Sequence, residues 1–377
     1  MKLEIENIGK IKNANVEIGG LTIIAGQNNT GKSTIGKVLF AMIKGINLNK
    51  KDFFNKIEKL NLPKMKDNDI QEIDIECDFN LKQDVKNCLF AEFKNNLLKK
   101  ENDNAKIDLI FDKKRNDIYY PDDKNLKFNV SFTKNKDIFI TESFHCPYDD
   151  ITFIDSPYTL LSIPDIINDC KTLLEYDAKK ELDLKLINKK NYYIQLHQKD
   201  LINKLTFKNK SQNIKKTANL INNINKIIDG NWEYKEIEEE FYFTNKNGSF
   251  TPWETASGIK SFGIIQLLLD NGDLILDKDK PLIIDEPEVH LHPEWHIKYA
   301  EILVELVKND IPVIITTHSN MFLQSLIALI QKNDLKEKTH FYLATNEIEG
   351  SVIKEVEKVS DITKHLLDPM YKIINGE

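Results

Sequence analysis

Two kinds of hydrophobic pattern occur along the chain. Continuous apolar runs, typical of strands that are buried on both faces of a sheet, lie at 21–25, 282–284 and 311–317. Apolar residues at helical spacing lie at 35–43, 220–228 and 264–268. Buried strands interspersed with amphipathic helices are typical of α/β proteins, so the pattern predicts an α/β fold.

The pattern changes between residues 50 and 150. Short stretches of alternating polar and apolar residues, such as Ile73–Phe79 and Ile107–Phe111, are separated by polar turns at 112–116 and 121–125. Alternation with a period of two is typical of strands that have one solvated face. We therefore predict an antiparallel β subdomain in this part of the chain.

A short helical insertion is predicted after the β subdomain. From Pro164 to Ile228 the apolar residues follow helical spacing, and Asp229-Gly230-Asn231 ends the pattern with residues that favour turns. Helices of this combined length would form an arm that reaches about 30–45 Å. We expect an N-terminal lobe at 1–160, the helical insertion at 161–230 and a C-terminal lobe at 231–377.

The segment 26–34 fits the phosphate-loop pattern G-x-x-x-x-G-K-[ST] at every fixed position, between a buried strand and a helix. Glycines allow successive backbone N–H groups to point into one concavity at a helix N-terminus, where the dipole also favours an anion. Lys32 would reach the β- and γ-phosphates, and the Ser33 hydroxyl would coordinate Mg²⁺. The predicted nucleotide-binding residues are Gly26, Asn28, Asn29, Thr30, Gly31, Lys32, Ser33 and Thr34.

The strand at 282–284 ends in two carboxylates that would complete such a P-loop site. Asp285 would hold the hydrated Mg²⁺, and Glu286 would accept a proton from the attacking water as a general base. The strand at 311–317 delivers His318 to the end of the sheet where ligands of α/β proteins bind. A neutral imidazole there would hydrogen-bond the γ-phosphate or the water. We predict Glu286, His318 and Lys32 as catalytic residues, and Ser33 and Asp285 as metal ligands.

A second anion site is predicted upstream of the acidic strand. Ser257 and Gly258 open a helical pattern, and a helix N-terminus presents backbone N–H groups to an anion. By itself this signal is weak, because such pairs are also common helix caps.

In this order of motifs the chain resembles the ABC-type ATPase heads of the SMC and RecF group. Within that group it is most similar to the OLD (overcoming lysogenization defect) family and to AAA15-like antiphage ATPases that lack a Toprim domain. The motif at 285–293, Asp-Glu-Pro-Glu-Val-His-Leu-His-Pro, carries most of this likeness, and Ile154-Asp155-Ser156-Pro157 supports it.

The resemblance implies that two heads pair around ATP. In such heads the phosphate loop of one subunit binds ATP, and the signature serine and glycine of a second subunit close over the γ-phosphate. Here these would be Ser257 and Gly258, with Lys260 as an added positive charge. An adenine contact is expected within Asn7–Asn13. The implied cofactors are ATP and Mg²⁺, and the implied assembly is a homodimer or a higher oligomer.

A metal site is a weaker interpretation of the same motif. Glu288, His290 and His292 alternate along an extended stretch, so their side chains would share a face, as metal ligands do. Pro293 follows directly, and the resemblance already accounts for these residues. We therefore favour the ATPase interpretation.

Charge is unevenly distributed along the chain. The net charge is −7, but residues 178–228 contain twelve lysines and three acidic residues. This basic segment would suit the phosphates of a nucleic acid or an acidic protein partner. Arg115 is the only arginine, so bidentate recognition of guanine is almost excluded and a nucleic-acid contact would be non-specific.

Other features bear on location and on cysteine chemistry. No apolar run is long enough to span a bilayer, and no signal-peptide pattern follows Met1, so we expect a cytoplasmic protein without membrane contact. The cysteines lack C-x-x-C spacing, which favours free thiols over disulfides or zinc ligands. They are Cys77, Cys88, Cys146 and Cys170.

The resemblance implies an ATPase that is the sensor or motor subunit of a bacterial antiphage system and acts with a separate nuclease or toxin. Only 59 residues follow His318, and no Asp-x-Asp pair occurs among them, so we expect no Toprim nuclease here. Two alternatives stay open. One is a DNA-repair ATPase of the RecF or SMC kind, and the other is a scaffold protein whose assembly is stabilised by bound ATP, with hydrolysis incidental. DNA-stimulated turnover without a need for a toxic partner would favour the repair ATPase. A locked scaffold would keep its activity when hydrolysis is lost at Glu286, whereas a cycling motor would not.

Overall fold

The structure is a computed structural model. It describes residues 1–59, 85–89, 92–93, 105–111, 126–132, 138–141, 148–161, 195–207, 214–274 and 280–375. The chain divides into two compact units, and each is assembled from segments that are distant in sequence. The first unit comprises Met1–Ile18, Asn29–Ile151 and Ala344–Glu355, and the second comprises Gly19–Asn28, Thr152–Leu343 and Val356–Glu377.

Strands and helices are interspersed in chain order. The strands are β1 (Lys2–Ile8), β2 (Ile11–Glu17), β3 (Leu21–Gly26), β4 (Ala105–Phe111), β5 (Leu126–Phe132), β6 (Ile138–Thr141), β7 (Thr152–Ile154), β8 (Asn231–Lys235), β9 (Glu240–Asn245), β10 (Gly248–Phe250), β11 (Leu282–Asp285), β12 (Val313–Thr317), β13 (Thr339–Glu347) and β14 (Gly350–Glu355). The principal helices are α1 (Lys32–Lys59), α2 (Leu196–Thr206), α3 (Ile214–Ile228), α4 (Ser257–Asp270), α5 (Pro293–Lys308), α6 (Asn320–Lys332) and α7 (Val359–Asn375). Within the described ranges, no helix is both long enough and apolar enough to cross a membrane.

The first unit contains an antiparallel sheet. Its strands lie in the order β6-β5-β4-β1-β2, each neighbouring pair is antiparallel, and β14 pairs with β2 in parallel. Leu3 and Ile5 of β1 are buried, as period-two alternation requires of one face. The predicted β subdomain is confirmed for Ile107–Phe111, which lies in β4. Ile73–Phe79 and both predicted turns lie outside the described residues.

The second unit contains a parallel sheet with strands in the order β3-β12-β11-β7. All residues of β3 and β12 are buried, as continuous apolar runs predict for strands covered on both faces. The α/β class is therefore confirmed. The core of this unit joins these strands to α4, α5 and α6 through side chains such as Ile23, Ile315, Leu268, Leu303 and Leu326.

Helices α2 and α3 are the described part of the predicted insertion, and both pack on the core of the second unit. Leu201 and Leu205 of α2 are buried there, together with Ile224 and Ile228 of α3. Helical structure is confirmed for these two segments. They do not form the projecting arm that we expected, because α2 packs against β7 and α4, and α3 packs against α4 and α5.

One lysine of the basic segment 178–228 is buried rather than solvated. Lys204 Nζ donates to the Thr152 hydroxyl at 2.8 Å and lies 3.0 Å from Asp200. This ammonium ties α2 to β7 and is not available to an external anion. Much of the segment lies outside the described residues, so its contact with nucleic acid stays a prediction.

Strand β8 is fixed to α4 by Trp232 and Gln266. The backbone N–H of Trp232 donates to Gln266 Oε1 at 2.9 Å, and Gln266 Nε2 donates to the Trp232 carbonyl at 3.1 Å. The buried indole lies against Gly263, where an added Cβ would be 2.3 Å from Trp232 Cδ1. Only glycine therefore fits at this position of α4 without a shift of its neighbours.

We expect Gly263→Ala to destabilise the protein. Alanine favours a helix by about 1 kcal/mol over glycine, but the clash with Trp232 forces the ring or the helix to move, at a cost near the upper end of about 1–3 kcal/mol. Thermal unfolding followed by circular dichroism should show a lower midpoint. Gly19→Ala is the control, because a Cβ there meets no atom within 4 Å. Equal midpoints for the two variants would contradict this packing.

Candidate nucleotide site

The predicted site residues Gly26, Asp285, Glu286 and His318 lie at one edge of the parallel sheet of the second unit. Because β3, β12 and β11 are parallel, their carboxyl ends meet, and Ala25 lies opposite Thr317 while Asp285 lies opposite Thr316. The next residues along the three strands are Gly26, His318 and Glu286. Ligands of α/β sheets bind at this edge.

The phosphate loop passes from the second unit into the first between Asn28 and Asn29. Asn29 and Gly31 have left-handed backbone, with φ of 65° and 83°, and α1 begins at Lys32. A Cβ on Gly31 would lie 2.8 Å from Ile11 Cγ1, so both conformation and space require glycine there. The loop therefore has the permissive glycine and the helix N-terminus that bound phosphate requires.

The turn between β1 and β2 lies beside the phosphate loop within the first unit. Lys10 Nζ donates to Asn29 Oδ1, and a Cβ on Gly9 would lie 3.8 Å from Thr34 Cγ2. Lys10 thus adds an ammonium next to the loop, inside the stretch where we expect an adenine contact. Sequence reasoning did not identify Lys10, because a single lysine is not distinctive in a lysine-rich chain.

The residues of the phosphate loop that precede and open α1 are largely covered. Thr30 and Lys32 are buried, and Ser33 and Thr34 are half-buried.

The acidic pair at the end of β11 is held by Thr316 of β12. The Thr316 hydroxyl donates to Asp285 Oδ1 and accepts the backbone N–H of Glu286 at 3.2 Å. That N–H also donates to the Thr316 carbonyl at 3.0 Å. Glu286 has a φ of 47°, a left-handed conformation that costs a non-glycine residue roughly 1–2 kcal/mol. A strained backbone conformation persists where hydrogen bonds and packing around it hold it in place, and such conformations are found most often at functional sites.

Glu286 and His318 form a polar pair at this edge of the sheet. Glu286 Oε1 lies 3.1 Å from His318 Nδ1, and the two side chains are 28% and 38% exposed. A carboxylate at this distance accepts a hydrogen bond from Nδ1–H and so sets which imidazole nitrogen carries the proton. Two residues predicted from separate motifs are therefore in contact, and both are accessible to a ligand.

Glu288 is a hydrogen-bond acceptor for the turn after β12, a role that we did not predict. Its Oε1 accepts from the Thr317 hydroxyl at 2.6 Å, from the His318 N–H at 3.1 Å and from the Ser319 N–H at 3.2 Å. The side chain is 4% exposed. Burial raises the pKa of this carboxyl above its ordinary value, and the hydrogen bonds from Thr317 and His318 oppose the rise.

The three residues of the metal interpretation do not converge. Glu288 accepts from the turn after β12, His290 lies edge-on to Tyr158 with ring centroids 5.1 Å apart, and His292 accepts the Glu294 N–H at 3.4 Å to cap α5. In the part of the chain that the structure describes, no three His, Cys, Asp or Glu side chains are grouped as metal ligands would be. The metal interpretation is therefore wrong for these residues.

Helix α4 begins at Ser257, as the helical pattern predicts. Ser257 is half-buried and Gly258 is buried, and a Cβ on Gly258 would lie 3.1 Å from two ring atoms of Trp295. The glycine thus allows the start of α4 to pack closely on α5. Trp253, on the turn that precedes α4, is 73% exposed, so a large aromatic surface lies beside the helix start.

Lys260 does not present its charge to solvent. It is 4% exposed, and its Nζ donates to the carbonyls of Pro252 at 2.9 Å and Thr255 at 2.6 Å. Burial lowers the pKa of this ammonium. Lys260 therefore holds the turn before Ser257, and its position does not support the expectation of an added charge for a neighbour's γ-phosphate.

We expect Lys260→Met to destabilise the turn before Ser257. Methionine fills a similar volume but leaves two carbonyls without their donor, a loss of about 1–3 kcal/mol. The midpoint of thermal unfolding without nucleotide should fall. Lys298→Met, which removes a more exposed ammonium on α5, is the control and should unfold like the wild type. An unchanged midpoint combined with weaker ATP-dependent association would contradict the structural role and favour a contact with a neighbour's nucleotide.

The fold is that of a P-loop NTPase, and a family comparison agrees. The profile of the AAA_15 family, described as an AAA ATPase domain, matches residues 1–323. Because the match covers most of the sequence, the chain belongs to this ATPase family. None of the curated proteins matches the sequence.

Three SMC heads are among the solved structures that match this chain. The SMC head bound to the C-terminal winged-helix domain of ScpA has a TM-score of 0.50 at 12% identity, over 96% of this chain and 98% of that chain. The SMC head domain from Thermotoga maritima scores 0.45 at 12% identity, over 95% and 98%. The Smc head with an extended coiled coil, bound to the C-terminal domain of ScpA derived from Pyrococcus furiosus, scores 0.46 at 12% identity, over 98% and 98%. At 12% identity, the similarity to the ScpA-bound SMC head with a TM-score of 0.50 concerns the fold alone.

Proposed function

We propose that this protein binds ATP with Mg²⁺ and hydrolyses it to ADP and phosphate. The observation that carries the proposal is the contact of Glu286 with His318, at the edge where β3 leads into the phosphate loop. Lys32 would reach the phosphates, while Ser33 and Asp285 would hold Mg²⁺, which needs only one or two protein ligands beside phosphate oxygens. The ion, when bound, would neutralise phosphate charge.

Glu286 is the proposed general base. Its partly exposed carboxylate would accept a proton from the water that attacks the γ-phosphate. With the proton on Nδ1, which faces Glu286, the neutral imidazole of His318 would offer Nε2 as an acceptor to the attacking water. With a proton on Nε2 it would donate to a γ-phosphate oxygen and so report that this phosphate is present. Glu286 would remove that phosphate by activating water.

We expect Glu286→Gln to abolish ATP hydrolysis and to preserve ATP binding. Glutamine keeps the size of the side chain but is not a base, and loss of a general base lowers a rate by about 10²–10⁴-fold. Steady-state phosphate release and equilibrium binding of a fluorescent ATP analogue measure the two effects. Glu294→Gln, an isosteric change at an exposed glutamate of α5, should behave like the wild type. Equal turnover by Glu286→Gln and the wild type would exclude Glu286 as the base.

We propose further that two copies of this chain pair around ATP. Ser257 and the N-terminus of α4, including the backbone of Gly258, would face the γ-phosphate bound to the second copy. Trp253, which is 73% exposed on the turn before α4, would lie beside such a contact. ATP would then act as the contact that joins two heads.

In the cell, this ATPase is proposed to be the sensor or motor subunit of an antiphage system that controls a separate nuclease or toxin. The support is the motif at 285–293, which is similar to that of OLD-family antiphage ATPases. ATP turnover would gate the partner, and the partner would carry the toxic activity. The lysines of 178–228 would suit an acidic protein surface or non-specific contact with nucleic acid.

We expect cells that carry this gene and its neighbours to survive phage infection, and cells with the Glu286→Gln version to lose protection. Plaque counts on matched strains measure the effect, and a Glu294→Gln strain should be protected like the wild type. Full protection by Glu286→Gln would contradict a cycling ATPase and favour a scaffold that ATP locks. Sensitivity to DNA damage in place of phage would contradict the defence role and favour repair.

A further inference from the structure

Three hydrogen bonds to one buried carboxylate determine the conformation of the turn 317–319. The Thr317 hydroxyl and the N–H groups of His318 and Ser319 all donate to Glu288 Oε1. Two consecutive N–H groups that share one acceptor fix the direction in which the chain leaves β12. Because the imidazole projects from this turn, the same bonds set where it lies.

The far side of the turn is fixed by a helix cap. Ser319 Oγ accepts the N–H of Phe322 at 3.2 Å, and the Ser319 N–H also donates to Thr317 Oγ1 at 3.0 Å. This cap orients the start of α6. Glu288 has a different role from this cap. Its hydrogen bonds connect the turn to the segment after β11, and that segment also contains Glu286.

The spacing of the two glutamates gives this connection a chemical consequence. His318 Nδ1 lies 3.1 Å from Glu286 Oε1 and 3.7 Å from Glu288 Oε1. Glu286 contacts the imidazole from a partly exposed position, whereas Glu288 does so from a buried one. A movement of the turn away from this segment would break the Glu288 bonds and the Glu286–His318 contact together.

We propose that Glu288 is the positioning residue for His318 and holds its imidazole against Glu286 in the geometry that hydrolysis requires. This inference rests on the proposed ATPase function. A carboxylate suits the task, because one ionised oxygen accepts several hydrogen bonds of charge-assisted strength. Glu288 acts through His318, whereas Glu286 acts on the water.

A purely structural role for Glu288 makes a different prediction. A buried carboxylate that only stabilises the fold would affect turnover to the same degree with or without the imidazole. A positioning residue affects turnover only while the imidazole is present. A double-mutant cycle separates the two roles, because it measures whether the effects of two substitutions depend on each other.

The test is single-turnover ATP hydrolysis by Glu288→Ala, His318→Ala and the double variant. We expect Glu288→Ala to lower the rate by about 10- to 100-fold, the loss typical when a residue that orients an active-site side chain is removed. ATP binding should be unchanged. In the His318→Ala background the same substitution should cause no further loss. A further loss of equal size there would overturn the proposal.

Glu288→Gln tests the hydrogen bonds themselves. Its amide oxygen can still accept from the turn, so its rate should exceed that of Glu288→Ala, and a rate no higher would overturn the proposal. If Glu288→Ala does not fold, Thr317→Val replaces it in the cycle, because it removes one donor with little change in volume. Its loss in rate should likewise disappear without His318, and a loss that persists would overturn the proposal.

The wild-type rate separates a failure of this inference from a failure of the proposed function. If the wild type does not hydrolyse ATP, the proposed function is wrong and the inference is overturned with it. If the wild type and Glu288→Ala hydrolyse ATP equally, only the positioning role is overturned. Glu294→Ala is the matched control for Glu288→Ala and Glu294→Gln the control for Glu288→Gln, because each makes the same chemical change at an exposed glutamate close in the chain.

Discussion

The register of the parallel strands β3, β12 and β11 is the constraint on which the candidate site depends. These strands lie in the core of the second unit, so their backbone N–H and C=O groups must find partners in the neighbouring strand. This pairing places Ala25, Thr317 and Asp285 at one edge. A slip of one residue would exchange the faces of every side chain in a strand and separate Thr316 from Asp285. The chemistry at the edge is thus a consequence of the apolar core beneath it.

Two threonine hydroxyls at the end of β12 donate hydrogen bonds to carboxylates at this edge of the sheet. Successive residues of a strand point to opposite faces, so the two neighbouring threonines can support two different carboxylates. Thr316 donates to Asp285, and Thr317 donates to Glu288. The strained backbone of Glu286 is held by Thr316 as well. Each acidic group of the motif therefore has its own contacts, and Glu286 is the one that approaches the imidazole from a partly exposed position.

The features that local pattern determines could be predicted from sequence. The phosphate loop, the buried strands and the strand-end residues Asp285 and His318 each follow from a short stretch of the chain. Glu288 and Lys260 could not be assigned, because their tasks depend on partners that folding brings to them. The spacing of Leu220 and Ile224 predicted a helix, but an apolar stripe does not show which surface covers it. For the same reason a count of lysines could not show that Lys204 is buried.

We propose that ATP joins two copies of this chain, with the nucleotide at the site that contains Glu286. Native mass spectrometry of Glu286→Gln with and without ATP and Mg²⁺ tests it most directly, provided that bound nucleotide is measured in the same samples. We expect the mass of one copy without nucleotide, and the mass of two copies, each with one ATP, when ATP and Mg²⁺ are present. A single copy that carries bound ATP and never pairs would contradict the paired-head mechanism.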